Sequence, residues 1–213
     1  NTTADNNTAV GRDALKTNST GAGNVAVGHE AGKDLTTGSN NILVGKESGH
    51  TLTTGGTNTA IGHQTLGTGA ASATTGSNNV AVGYGALYKA TTADANVAIG
   101  QYALLENTTG HTNIAIGKYA LDANTTASEN VAVGYYCLSA NTTGVTNSAL
   151  GKSALAANTT GYENTAIGKS ALAANTTAYR NQAFGTESLL ANTTGNDNTA
   201  CGKSTLQDNT TGS

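Results

Sequence analysis

Asn113-Ile114-Ala115-Ile116-Gly117-Lys118-Tyr119-Ala120-Leu121-Asp122-Ala123-Asn124-Thr125-Thr126 is one copy of a unit that fills the whole chain. The same pattern returns at Gly11, Gly28, Gly45, Gly62, Gly83, Gly100, Gly117, Gly134, Gly151, Gly168, Gly185 and Gly202. The step is 17 residues throughout, except for 21 between Gly62 and Gly83. A fixed short period is the mark of a stack of like units, each of which buries its apolar side only against its neighbours.

The copies start at Asn7, Asn24, Asn41, Asn58, Asn79, Asn96, Asn113, Asn130, Asn147, Asn164, Asn181 and Asn198, and make one repeat domain over residues 1–213. An aliphatic residue precedes the glycine in ten copies, with Phe184 and Cys201 as the exceptions. Leu follows the glycine by four in ten copies, and Gly32 and Gly49 replace it in the other two.

Seventeen residues is too short for a helix-turn-helix repeat, which needs about 33. Runs such as Asn96-Val97-Ala98-Ile99-Gly100 are brief, β-branched and bounded by turn formers, as strands should be. Gly and paired Thr recur too often for a helix; only Ala-Leu-x-x-Asn could make a single helical turn. The fold class is therefore all-β: a parallel β-solenoid, a β-roll or β-helix, of about twelve coils. At about 4.8 Å per coil it forms a rod of roughly 55–60 Å.

Stacked coils turn each sequence position into a column. The aliphatic column (Val10, Val27, Val44, Ile61, Ile116) and the Leu column (Leu66, Leu87, Leu104, Leu121) are expected together to be the core. The Ala column between Asn and the aliphatic residue needs a small side chain, either beneath a facing sheet or where chains approach closely. Leu43 is its one misfit. Position two before the aliphatic residue is mixed, from Ile114 to Ser148 to Gln182, and fits a surface shared between subunits. The glycine of each copy supplies a positive φ at a corner. The Asn columns cap backbone groups or stack their amides between coils.

With no Pro, Met or Trp, one Phe and 11% charged residues, the core of one chain is thin, and association is expected to supplement it. The start at Asn1-Thr2-Thr3 and the end at Asn209-Thr210-Thr211-Gly212 both lie inside the repeat, as in an interior piece of a longer fibre. A net charge of −3 without a basic tract excludes a nucleic-acid footprint, and no apolar run is long enough for membrane insertion. Cys137 and Cys201 lie too many coils apart to bridge, so both are expected as buried free thiols.

No catalytic constellation, cofactor motif or metal motif stands out, and the chain is read as non-enzymatic. His29, His50, His63 and His111 read as solvated surface residues, since no carboxylate or Cys joins them at metal-ligand spacing. Gly-Lys-Ser at 151–153, 168–170 and 202–204 lacks the upstream Gly of a phosphate loop. Acidic residues do not cluster as a polysaccharide-cleaving site requires, although Glu30 and Glu47 share a column. Lys118, Lys152, Lys169 and Lys203 follow the glycine as solubilising charges.

Three surface features remain. Tyr102, Tyr119 and Tyr136 share a column, with Tyr84 and Tyr135 one column over. They read as a ladder packing coil on coil, or as a ligand-contact patch for a glycan or receptor. The Thr pair (Thr125 and Thr126 in the quoted copy) reads as turn support. The rival is an ice-binding face, but adjacent Thr residues on a strand point to opposite sides. The four-residue insertion within 67–73 is either a recognition loop or a tolerated bulge.

The strings Asn24-Val25-Ala26-Val27-Gly28, Asn113-Ile114-Ala115-Ile116-Gly117 and Asn164-Thr165-Ala166-Ile167-Gly168 resemble two groups. One is the β-roll head repeat of trimeric autotransporter adhesins. The other is the repeat region of phage tail fibres, which is more similar and spans the whole chain. The resemblance implies a homotrimeric structural or adhesive fibre segment on a virion or cell surface, holding a host-surface glycan or receptor contact away from its anchor.

Overall fold

The computed structural model describes residues 4–70 and 72–213, so the opening Asn1-Thr2-Thr3 and Ala71 of the insertion lie outside the described residues. Twelve three-residue strands follow one another: β1 (Thr8–Val10), β2 (Val25–Val27), β3 (Ile42–Val44), β4 (Thr59–Ile61), β5 (Val80–Val82), β6 (Val97–Ile99), β7 (Ile114–Ile116), β8 (Val131–Val133), β9 (Ser148–Leu150), β10 (Thr165–Ile167), β11 (Gln182–Phe184) and β12 (Thr199–Cys201). They form one parallel sheet in sequence order, from β1 to β12. The chain is thus an all-β parallel solenoid of about eleven turns, with no helix among the described residues. Register follows the repeat: Ile114 lies beside Val131, Ala115 beside Ala132 and Ile116 beside Val133. The insertion leaves this unchanged, since Thr59 still pairs with Val80. Its four extra residues are absorbed in the turns, where Leu52 and Thr74 form an isolated parallel bridge.

One expectation about the core is overturned. The aliphatic column faces outward: Val10 is 57% exposed, Leu150 49% and Ile167 41%. The Ala column is the one that points inward and is fully buried from Ala26 to Ala200, apart from Leu43, which is also buried. Alternation along a three-residue strand permits either assignment. The interior decides it, because it must also hold the Leu column, the small residues one place before it and two columns of Asn. Only Ala leaves enough room. The mixed column of Ile114 and Gln182 shares the outward face with the aliphatic residues, as alternation requires.

Leu121 shows how a coil turns without helix or further strand. It is buried at φ 51°, and Tyr119 two residues earlier has φ 58°. Left-handed residues thus alternate with others around the bend. A left-handed leucine is strained by about 1–2 kcal/mol. It is held by a hydrogen bond from its N–H to Cys137 O in the next coil (3.1 Å) and by its buried side chain.

The Leu43 misfit has a local cause. In the second and third coils Gly32 and Gly49 occupy the Leu column, also left-handed at φ 58° and 61°. A Cβ built on Gly32 would lie 2.7 Å from Leu43 Cδ1, and one on Gly49 would lie 2.8 Å from Leu43 Cδ2. The isobutyl group of Leu43 therefore fills the space of two absent leucines, reached from the opposite wall. Leu43→Ala is expected to lose about 2–5 kcal/mol in denaturant unfolding, since no neighbour can collapse into the gap. Adding Gly32→Leu and Gly49→Leu to it should recover most of that loss, while the two leucines added beside Leu43 should destabilise. Equal effects of the paired leucines in both backgrounds would refute this exchange.

Two polar ladders run inside the solenoid. In the first, Asn113 Oδ1 accepts from Asn130 N (3.0 Å) and Asn130 Nδ2 (3.3 Å). Its own Nδ2 donates to Asn96 Oδ1 (3.1 Å) and Ala127 O (2.9 Å). In the second, Asn124 Nδ2 donates to Asn107 Oδ1 and Ala127 O. All of these amides are buried. They satisfy each other coil by coil, which is what allows polar side chains in so thin a core. Asn18 illustrates the rule by exception: its Oδ1 is buried without a partner because Leu35 stands where the next coil's amide would be.

Candidate functional site

The outward face of the sheet runs the whole length of the stack, from β1 to β12. Both outward residues of every strand are intermediate or exposed, and none carries a charge. Ile42, Ile61, Ile99, Ile114, Ile116, Ile167 and Phe184 each expose more than a third of their surface. Soluble single chains rarely leave so continuous an apolar strip in contact with water. Cys201, expected to be buried, sits on this face and is exposed, because its column points outward. Cys137 is buried as expected; its Sγ donates to Ala149 O (3.3 Å), and burial pushes the thiol up to about 12.

Beyond the glycine the tyrosines form one continuous run. Ring centroids are 5.3 Å apart for His63 and Tyr84, 5.0 Å for Tyr84 and Tyr102, 5.4 Å for Tyr102 and Tyr119, and 4.9 Å for Tyr119 and Tyr136. Tyr135 closes the run edge-on against Tyr136 at 4.5 Å. Offset aromatic contacts at these distances contribute about 0.5–1.5 kcal/mol each beyond area burial. The ladder packing read from the sequence is therefore present. A second stacked pair, Tyr162 and Tyr179 (4.9 Å), was not singled out there, though their 17-residue spacing marks them.

The Tyr column is interrupted at Gly85, which has no side chain between Gln64 and Tyr102. The Tyr102 ring leans over Gly85, and beside it opens a pocket of about 300 Å³ lined by Tyr84, Gly85, Tyr88, Tyr102, Leu105 and the Lys89–Glu106 ion pair, next to Gln64. Gly69 of the insertion packs against the Tyr88 ring, so the extra loop supports one wall.

Asp122, on the turn after the quoted strand, is half-buried, and its Oδ1 is enclosed without a hydrogen-bond partner. Desolvation, with the Glu106 charge adding to it, raises its carboxyl to about 6. An acid whose folded pKa lies above its unfolded value stabilises the fold least when ionised. The contribution of Asp122 is thus expected to be most favourable below about pH 4 and to be lost as pH rises from about 4 to about 6. Asp122→Asn should remove this slope and gain on the order of 1–2 kcal/mol at pH 7, after allowance for partial exposure. Thermal melts of both proteins at pH 4 and pH 7 check it; an equal shift at both would refute the account.

Stacking also gathers residues that lie far apart in sequence. One ligand atom each from His29, Glu30 and Glu47 lies within 4.8 Å of the others. Lys33 donates to Glu30 Oε1 (3.1 Å) and holds that carboxyl below its usual range. Gln64 donates to Glu47 (2.9 Å) with the same effect. Spacing within one coil did not reveal this group, because Glu47 reaches His29 only through the coil above. His63 instead joins the tyrosines, and His111 bonds Thr112.

The Thr pair divides its work. Thr125 Oγ1 donates to Thr142 O (3.2 Å), and Thr108, Thr142, Thr159 and Thr176 repeat the bond to the next coil. Thr126 and its copies are exposed.

No protein-family model, no curated protein and no solved structure matches the chain. No helix of the described residues is long and apolar enough to cross a membrane.

Proposed function

We propose that this chain is a non-enzymatic shaft segment of a surface fibre, and that it self-associates through the outward face of its sheet, three copies around an axis. The observation that carries this reading is the uncharged, largely apolar strip that runs from β1 to β12. A second copy is the partner whose repeat matches that strip rung for rung over its full length. Any unrelated surface matches only a few rungs. Burying the strip removes the apolar surface that the thin interior leaves outside, and the resemblance to trimeric surface fibres supplies the number three. The turn beyond the corner glycine then carries the tyrosine run to solvent. Tyr84, Tyr102, Tyr119, Tyr135 and Tyr136, with the cavity at Gly85, form the patch that contacts a host-surface glycan or receptor outside the cell. Each contact is weak and gains from repetition.

Ice binding is the weaker reading, because one Thr rank uses its hydroxyls in the coil-to-coil bonds and a single rank remains outside. Absence of thermal hysteresis would remove it.

Light scattering on the full chain tests the assembly. The expected mass is threefold. An Ile99→Asp, Ile116→Asp, Val133→Asp variant should run as a monomer with its β-sheet circular dichroism retained. A wild-type chain that stays monomeric at micromolar concentration would overturn the proposal.

A further inference from the structure

We infer that His29, Glu30, Glu47 and His50 form a divalent transition-metal site on the N-terminal coils, independent of the fibre reading. The imidazole of His29 accepts a hydrogen bond at Nε2 from Arg12 (2.6 Å), so that nitrogen carries a lone pair, the form that binds a metal. The Glu30 carboxylate stands between the two histidines, 3.9 Å from His29 Nε2 through Oε1 and 3.5 Å from His50 Nε2 through Oε2. Glu47 completes the group from the adjacent coil. A second observation points the same way: His50 Nε2 is enclosed and makes no hydrogen bond, although it is aimed at Glu30.

The distances suit a small ion. Zinc binds His nitrogen and carboxylate oxygen at about 2.0–2.2 Å, which places two donors on one tetrahedral ion about 3.3–3.5 Å apart. The His50–Glu30 separation already has this value, and the His29, Glu30 and Glu47 donors, within 4.8 Å of one another, must close by up to about 1.5 Å through side-chain rotation. A mixed nitrogen and oxygen set favours zinc, cobalt or nickel over calcium or magnesium. Arg12, Lys33 and Lys46 oppose the ion. Arg12 holds the His29 lone pair, and Lys33 holds Glu30 Oε1. Both are long side chains at the rim that can swing out, so they set the affinity without filling the site.

Titration of the metal-free full chain with zinc chloride by calorimetry, followed by visible absorption with cobalt(II), tests this. One zinc per chain is expected, with cobalt bands of a four-coordinate site. His29→Ala, His50→Ala and Glu47→Gln should each weaken binding by about ten- to hundredfold. Arg12→Ala should strengthen it, a gain that damage to the fold does not produce. His111→Ala, four coils from Glu30, should change nothing. No binding by the wild-type chain, or equal loss in His111→Ala, would overturn the inference.

Discussion

Gly117→Ala is expected to lose on the order of 3–5 kcal/mol in denaturant unfolding at fixed protein concentration, as are the same changes at its copies that a further coil follows. Two effects combine. The backbone at Gly117 has φ 135°, which an L side chain rarely adopts, at a strain of about 1–3 kcal/mol. The added Cβ would also lie 2.5 Å from Gly134 O and 2.7 Å from Gly134 C, backbone atoms of the next coil that cannot turn aside. The coils must separate locally, and in a one-dimensional stack such a break uncouples the two halves. Ser153→Ala, also at a left-handed position but half-buried and keeping its Cβ, is the control and should be near neutral. A Gly117→Ala chain as stable as wild type would show that the close passage of coil on coil is not what this glycine serves.

Asn113→Asp should come second, and its effect should depend on pH. The amide donates to Asn96 Oδ1 and Ala127 O, and a carboxylate oxygen there meets two acceptors. Asn113→Ala leaves Ala127 O and the Asn130 N–H without their Asn113 partners, and is expected to lose about 2–4 kcal/mol. Asp adds a buried charge and should lose more than Ala at pH 7. Burial raises the folded pKa of that carboxyl above its unfolded value of about 3.9, so the excess loss grows as pH rises from about 4. Near pH 4 the neutral acid can donate one of the two bonds, and Asp should approach Ala. Urea unfolding of both variants at the two pH values decides it; equal stability at pH 7 would sink the ladder account.

Both predictions rest on columns that the repeat makes legible. The glycine at a positive φ and the stacked Asn amides follow from the period alone, because each position must meet its own copy one coil away. The insertion, open in the sequence between a recognition loop and a bulge, leaves the strands on either side of it in register. The left-handed positions were harder to see. Leu121, Tyr119 and Glu129 all have positive φ, which side chains of these types seldom adopt. A signal was present: Gly32 and Gly49 stand in the Leu column, Gly85 in the Tyr119 column and Gly23 in the Glu129 column. An occasional glycine among bulky residues at one repeat position marks backbone that only glycine adopts without strain.

The metal-ligand group was illegible for a different reason. The shared column of Glu30 and Glu47 was legible, but that the His29 and His50 rings turn toward these carboxylates is set by side-chain rotamers, which no spacing encodes. The exposed Cys201 follows from the inverted face of its column.

From the sequence alone come the period, the parallel stack, the register and the ladders, since a short repeat leaves few ways to pair each strand. Which face of a three-residue strand points inward was decided only in three dimensions. Alternation separates Ala115 from Ile114 and Ile116 but is silent on which side is interior. The enclosed volume settles it: with the leucines and two amide columns already inside, only alanine fits, and the larger aliphatic residues are left to face outward.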